Sequence, residues 1–134
     1  MSTLKVTNIQ DTSGGNSLTT EQLYNGAAKA WVNFNGTGTT STNQTIRASF
    51  NVSSVYKNGT GDYTVNFTTA LVDANYTVAS AGSASSGGGS PTPLVPYGQT
   101  APTSNAVRLL SWYMTATSGQ SASDVIYGNV AIFR

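Results

Sequence analysis

The chemistry this chain could perform near neutral pH rests on five carboxylates: Asp11, Glu21, Asp62, Asp73 and Asp124. It contains no His and no Cys. The commonest general base and metal ligand are therefore missing, together with thiolate nucleophiles, thiolate metal sites and disulfides. Two carboxylates suffice in principle for glycoside hydrolysis, one as acid and one as nucleophile or base. Nothing in the spacing of these five singles out such a pair. Asp11, Asp62 and Asp124 lie in turn-like text, where Asp side chains bond nearby backbone amides. Asp73 and Asn75 offer oxygens to a calcium ion, but such a site needs about six oxygen ligands and no loop motif supplies them. The run Gly87-Gly88-Gly89 is not a phosphate loop, since no Lys follows it and no helix opens after it. We expect no enzyme, no metal and no cofactor.

Aromatic residues are the better candidates for recognition. Trp31 and Trp112 fall within strand-like segments, which places them in a core or an oligomer interface. Tyr97 lies in a Pro-rich stretch and Tyr56 beside a turn, positions that favour exposure. Tyr gives a large contact area at low entropy cost, which suits sugar or protein recognition, so these two are the expected recognition contacts.

The elements that must position these residues read as β-structure. Ala28–Asn35 alternates Ala30, Val32 and Phe34 with Lys29, Trp31 and Asn33. Burial of one face alone would expose Trp31, so the second face is expected to be covered as well, with a neighbouring subunit as one candidate for the cover. Thr45–Val52 would place Ile46, Ala48, Phe50 and Val52 on a core face, and Tyr63–Thr68 would do the same with Tyr63, Val65 and Phe67. Leu4–Ile9 and the text around Tyr76, Val78 and Ser80 predict further strands. Val107–Thr117 is apolar on both faces, as in a central or interface strand, and Val125–Phe133 closes the sequence. Asn58–Asp62 and Ser118–Ser121 predict turns. The one helical piece is Thr19–Tyr24, with a Thr cap and Glu21 in its first turn. Regularity is lost from Ala81 to Asn105, which holds all four prolines. A loop this long is usually functional or disordered, so the recognition surface is expected there.

We therefore expect an all-β protein: an antiparallel β-sandwich of about six to eight strands with at most one short N-terminal helix. Residues 1–26 would form an attachment or oligomerisation segment and 27–134 the sandwich. Only 8% of the residues are charged, against about 25% in ordinary soluble domains, so Ser, Thr, Asn and Gly must supply the polar surface. The net charge is +1 and Lys5, Lys29, Arg47, Lys57, Arg108 and Arg134 are scattered, a poor basis for binding nucleic acid. No apolar run approaches the roughly 20 residues that span a bilayer. Met1–Lys5 lacks the features of a secretory signal. We expect a soluble protein made in the cytoplasm, without membrane insertion.

Several word-like blocks carry a resemblance: Leu4–Gln10, Lys29–Gly38, Ile46–Ser54, Gly59–Ala70 and Asp73–Tyr76, with the ending Asn129–Arg134. Together they resemble the C-terminal β-domain of tail-fibre-like proteins of bacteriophages of marine or cyanobacterial type. The resemblance implies a non-enzymatic virion structural protein, a surface fibre or knob on the virion surface that acts in host attachment. Its partners would be copies of itself in a homotrimer, other phage virion proteins, and a glycan or protein of the host surface. The alternative is a capsid decoration protein that stabilises the shell. Residues 80–105 have no part in the resemblance.

Overall fold

The computed structural model describes residues 3, 5–85, 91–115 and 119–134, with 114 and 115 by backbone alone. In chain order the elements are β1 (Asn8–Gln10), β2 (Ser17–Thr19), α1 (Thr20–Gly26), β3 (Ala28–Asn35), β4 (Thr45–Phe50), β5 (Val52–Gly59) and β6 (Asp62–Phe67). They continue with β7 (Thr77–Ala84), β8 (Pro91–Thr92), β9 (Leu94–Pro96), β10 (Ala106–Thr115), β11 (Gly119–Ala122) and β12 (Val125–Phe133). All pairings are antiparallel.

Two sheets make the sandwich. The first runs β4-β3-β12-β7-β8; the second runs β11-β10-β6-β5, with β9 on a further edge of β10. The expected all-β sandwich with one short helix is thus the observed fold. The inner faces meet as alternation demands: Ala30, Val32, Phe34, Val130 and Ile132 from the first sheet pack against Val55, Tyr63, Val65, Val107 and Leu109 from the second. At the centre the Phe34 and Tyr63 rings stand edge to face with centroids 5.2 Å apart, an arrangement aromatic quadrupoles favour. Phe34 fits because Gly128 lies opposite it on β12; a Cβ there would overlap the ring.

Register shifts in the sheets decide where side chains point, since one extra residue reverses the alternation beyond it. Between Asn33 and Phe34 the pairing on β4 skips from Ala48 to Ile46, which leaves Arg47 as the bulged residue. Ile46 packs on the core, but Ala48 and Phe50 are exposed, which corrects the expected core face Ile46-Ala48-Phe50-Val52. Val52 is buried in the other sheet, because the chain bends at Asn51 (φ 54°) and crosses over. Asn51 holds this left-handed bend by donating to the carbonyls of Lys29 and Thr69 and accepting the Thr69 N–H. The other shifts leave Ser53 and Asn58 on β5, Ile126 on β12 and Lys29 on β3 as the extra residues.

The strand expected at Leu4–Ile9 is shorter and later. Asn8–Gln10 pairs with Ser17–Thr19, and Val6 is exposed; Leu4 lies outside the described residues. The helix is capped as expected, with Thr19 accepting the Gln22 N–H and Gln22 accepting the Thr19 N–H, a reciprocal capping box. The text expected as a turn at Ser118–Ser121 includes part of β11, whereas residues 116–118 lie outside the described set. The segment expected to be irregular is partly ordered: β8 pairs with β7 and β9 with β10, and Thr92 and Leu94 are buried. The prolines 91, 93 and 96 occupy this short-stranded border, the kind of sheet edge where a missing N–H is tolerated. Residues 86–90 lie outside the described set.

Candidate functional site

The first sheet turns an open face to solvent. On it Phe50, Trp31, Ala131 and Ala79 stand opposite one another in register on β4, β3, β12 and β7. The next row is Ala48, Asn33, Asn129 and Ala81. Trp31 is 40% exposed and Phe50 54%, so two aromatic side chains stand side by side next to a floor of methyl groups. Across β3 and β12 the Asn33 Nδ2 donates to Asn129 Oδ1 at 2.6 Å. The rows enclose a shallow open depression of about 490 Å³ lined by Trp31, Val32, Asn33, Ala79, Ser80, Ala81, Asn129, Val130 and Ala131. None of these carries a charge. Further along β12, Tyr127 is exposed and lies beneath the Arg47 guanidinium, 4.6 Å from ring centroid to Cζ. Arg47 also donates to the carbonyls of Phe34 (2.7 Å) and Ile126 (2.8 Å), which pins the bulge.

The second sheet's outer face carries both tyrosines expected in recognition, at opposite ends of one row. Tyr56 on β5 stands opposite Thr64 on β6, which stands opposite Arg108 on β10. Tyr97, just after β9, lies over Arg108 at 4.8 Å and donates its backbone N–H to the Arg108 carbonyl. Both tyrosines are half-buried, and the Tyr97 hydroxyl donates to Gln99 Oε1. Arg108 forms a two-pronged pair with Asp62 at 2.9 and 2.6 Å. Asn58 donates to Asp62 Oδ1 and to Thr64 Oγ1. The Arg108 guanidinium, followed by the Asn58 amide, holds the Asp62 carboxyl below the usual carboxylate range. Trp112 is half-buried on β10. The four aromatics therefore do not converge: Trp31 lies on the outside of the first sheet, while Tyr56 and Tyr97 lie on the outside of the second.

Three of the other carboxylates are engaged structurally. Asp11 closes its own turn by accepting from Ser13, Gly15 and Asn16. Asp73 pairs with Arg134 at 2.8 and 2.5 Å, which lowers its carboxyl to about 2. Asp124 sits at the end of the sandwich, where it accepts from Lys57 Nζ (2.7 Å), the Gly61 N–H (2.9 Å) and the Tyr63 hydroxyl (3.0 Å). The Lys57 side chain is 4% exposed and donates also to the Gly38 carbonyl. The Tyr63 hydroxyl shares its single proton between Asp124 and the Gly36 carbonyl and accepts the Val125 N–H. Burial, with the Asp124 charge beside it, pushes this hydroxyl above the ordinary tyrosine range. Gly61 has a φ of 66°, and a Cβ there would meet the backbone of Ser111 and Ser123. Among the described residues no three acidic side chains gather to hold a metal, and no helix is long and apolar enough to cross a membrane.

The sequence reading missed the Asn33–Asn129 pair and Phe50. A partial signal existed: Asn33 shares Trp31's side of an alternating strand. Its partner is distant in sequence and needs the β3–β12 pairing to be found. No family model, curated protein or solved structure matches the chain.

Proposed function

We propose that this is a phage virion surface protein, a fibre or knob that attaches through its N-terminal segment and presents the sandwich to the host. The observation that carries the reading is the contrast between those two parts. Every described residue from 5 to 27 is exposed, including Val6, Ile9, Leu18, Leu23 and Tyr24 at 44–62%. A lone two-stranded ribbon and a seven-residue helix are each marginal in water. Such a unit gains stability by laying its apolar side chains on another protein, either a virion component or further copies of this chain in a homotrimer. The resemblance to tail-fibre-like domains supports the same assignment, as does the engagement of Asp62, Asp73 and Asp124 in ion pairs, which leaves the chain better suited to binding than to catalysis.

The test is the stoichiometry of the protein in purified virions, with light scattering of the isolated chain. A few copies per particle and a trimeric mass are expected. Many copies per shell would favour capsid decoration, and a stable monomer would remove the trimer. Removing residues 1–26 should release the sandwich from the virion and reduce it to a monomer.

A further inference from the structure

We propose that the depression beside Trp31 binds a neutral glycan, with a pyranose ring against the indole and its hydroxyls on the Asn33–Asn129 pair. The proposal deepens the attachment reading and rests on it for the biological role alone.

The geometry supplies the three things sugar recognition needs. First, a pyranose presents one face of C–H bonds with partial positive charge, and the negative π face of an aromatic ring attracts it. Trp31 is 40% exposed although it lies on an inner strand, and Phe50 stands directly opposite it. Second, a ring can lie flat only where nothing projects. Ala79, Ala81 and Ala131 offer methyl groups alone beside the indole. The resulting space of about 490 Å³ falls within the range of small-ligand sites. Third, hydroxyls both donate and accept. The Asn33–Asn129 bond consumes one donor and one acceptor, so one amide carbonyl oxygen and one amide nitrogen remain for a ligand, on adjacent strands. Turning both amides over exchanges their roles but leaves the same complement.

Charge selects the class of ligand. No charged side chain lines the depression, and the neighbouring Arg47 is committed to two carbonyls and the Tyr127 ring. An acidic polysaccharide or a nucleic acid would find no counter-charge here. A second copy of the chain fits less well, because the core of a lasting interface is rich in large apolar side chains. Here the floor consists of methyl groups and amides that a flat partner would have to dehydrate.

The experiment is native electrophoresis of the full chain in gels cast with dextran, mannan or galactan, with alginate as the anionic control. At least one neutral polymer should retard the protein and alginate should not. Trp31→Ala should weaken retardation about tenfold or more, Trp31→Phe should keep part of it, and Asn33→Ala should weaken it severalfold. All three variants should match the wild type in circular dichroism and in mass by light scattering. The proposal is overturned by failure of every neutral polymer to retard, by retardation in alginate, or by retardation that survives Trp31→Ala. A changed mass in Trp31→Ala would also overturn it, by making the face a subunit contact. Retardation of a protein that proves absent from virions would leave the glycan site standing and remove only the attachment role.

Discussion

The two outer faces of the sandwich use their polar groups in opposite ways. On the second sheet Arg108, Asp62, Asn58, Thr64 and Tyr97 satisfy one another, and Asn66 donates to Ser54. On the first sheet the Asn33–Asn129 pair satisfies only half of itself, and Trp31 and Phe50 stay about half exposed. A self-satisfied face gains little from a ligand, since each new bond displaces an existing one. A half-satisfied face beside an aromatic ring gains both the bond and the burial. The charged pair of the second face is satisfied within the fold, whereas the amide pair of the first keeps unused donors and acceptors.

The largest break in this comparison comes from the joint that holds both faces in place. Asp124 precedes β12 of the first sheet and ties Lys57 and Tyr63 of the second. Asp124→Ala leaves a buried ammonium without its counter-ion, which should cost about 3–5 kcal/mol. Urea midpoints should fall accordingly, and glycan retardation should fail together with the packing of the second face. Loss of retardation at unchanged stability would mean that the joint acts on the Trp31 face alone.

Acid and alkali should separate the faces without mutation. Asp62 and Asp73 have folded pKa values below their unfolded ones, so the stability they contribute is present above about pH 4. It is lost as the pH falls towards the folded values, about 2 for Asp73. Tyr63 and Tyr76 are raised by burial, Tyr76 to about 12; their contribution holds below about pH 10 and fades as the pH rises. Thermal midpoints should therefore drop at both extremes. Between them, glycan retardation should not vary with pH, because no titratable side chain lines the depression.

How legible this was in the sequence depended on the bulges. The spans of β3 and β12 follow from alternation over most of their length, and the inward set Tyr63, Val65 and Phe67 from alternation without a break. β5 was not legible: Ser53 interrupts the period of two, and Lys57 points inward where pattern reading expects solvent. Phe50 was misplaced for a related reason, since the bulge at Arg47 reverses every side chain beyond it. The prolines suggested a loop, but they border short paired strands. The odd position of Trp31 was visible in its strand. Its setting was not, because Asn129, Ala131 and Ala79 reach it only through long-range pairing.

A smaller change sharpens the comparison from the second face. Asp62→Ala removes a two-pronged pair whose side chains are about one-fifth to one-third exposed, 17% for Asp62 and 31% for Arg108. Solvent screens such a pair, so the loss should be on the order of 1 kcal/mol. Retardation by a neutral polymer should be unchanged. Acid sensitivity below about pH 4 should diminish, since one of the depressed carboxyls is gone.

The smallest effect expected is that of Tyr97→Ala. Tyr97 covers Arg108 with its ring, and its hydroxyl reaches only Gln99. Losing a partly exposed cation–π contact costs roughly 0.5–1 kcal/mol. The backbone bond from Tyr97 to the Arg108 carbonyl survives the substitution, so β9 should stay in place. If Tyr97 serves only to shield the Arg108–Asp62 pair, the variant should lose this small stability and adsorb to the host normally. Tyr56→Ala, on the same row but without a charged partner beneath it, tests the other half of the face. Normal stability with lost adsorption in either variant would place the host contact on the second sheet, where half-buried tyrosines flank a charged pair. Retardation by neutral polymer through Trp31 would then serve a separate ligand, and the division of labour between the faces would be reversed.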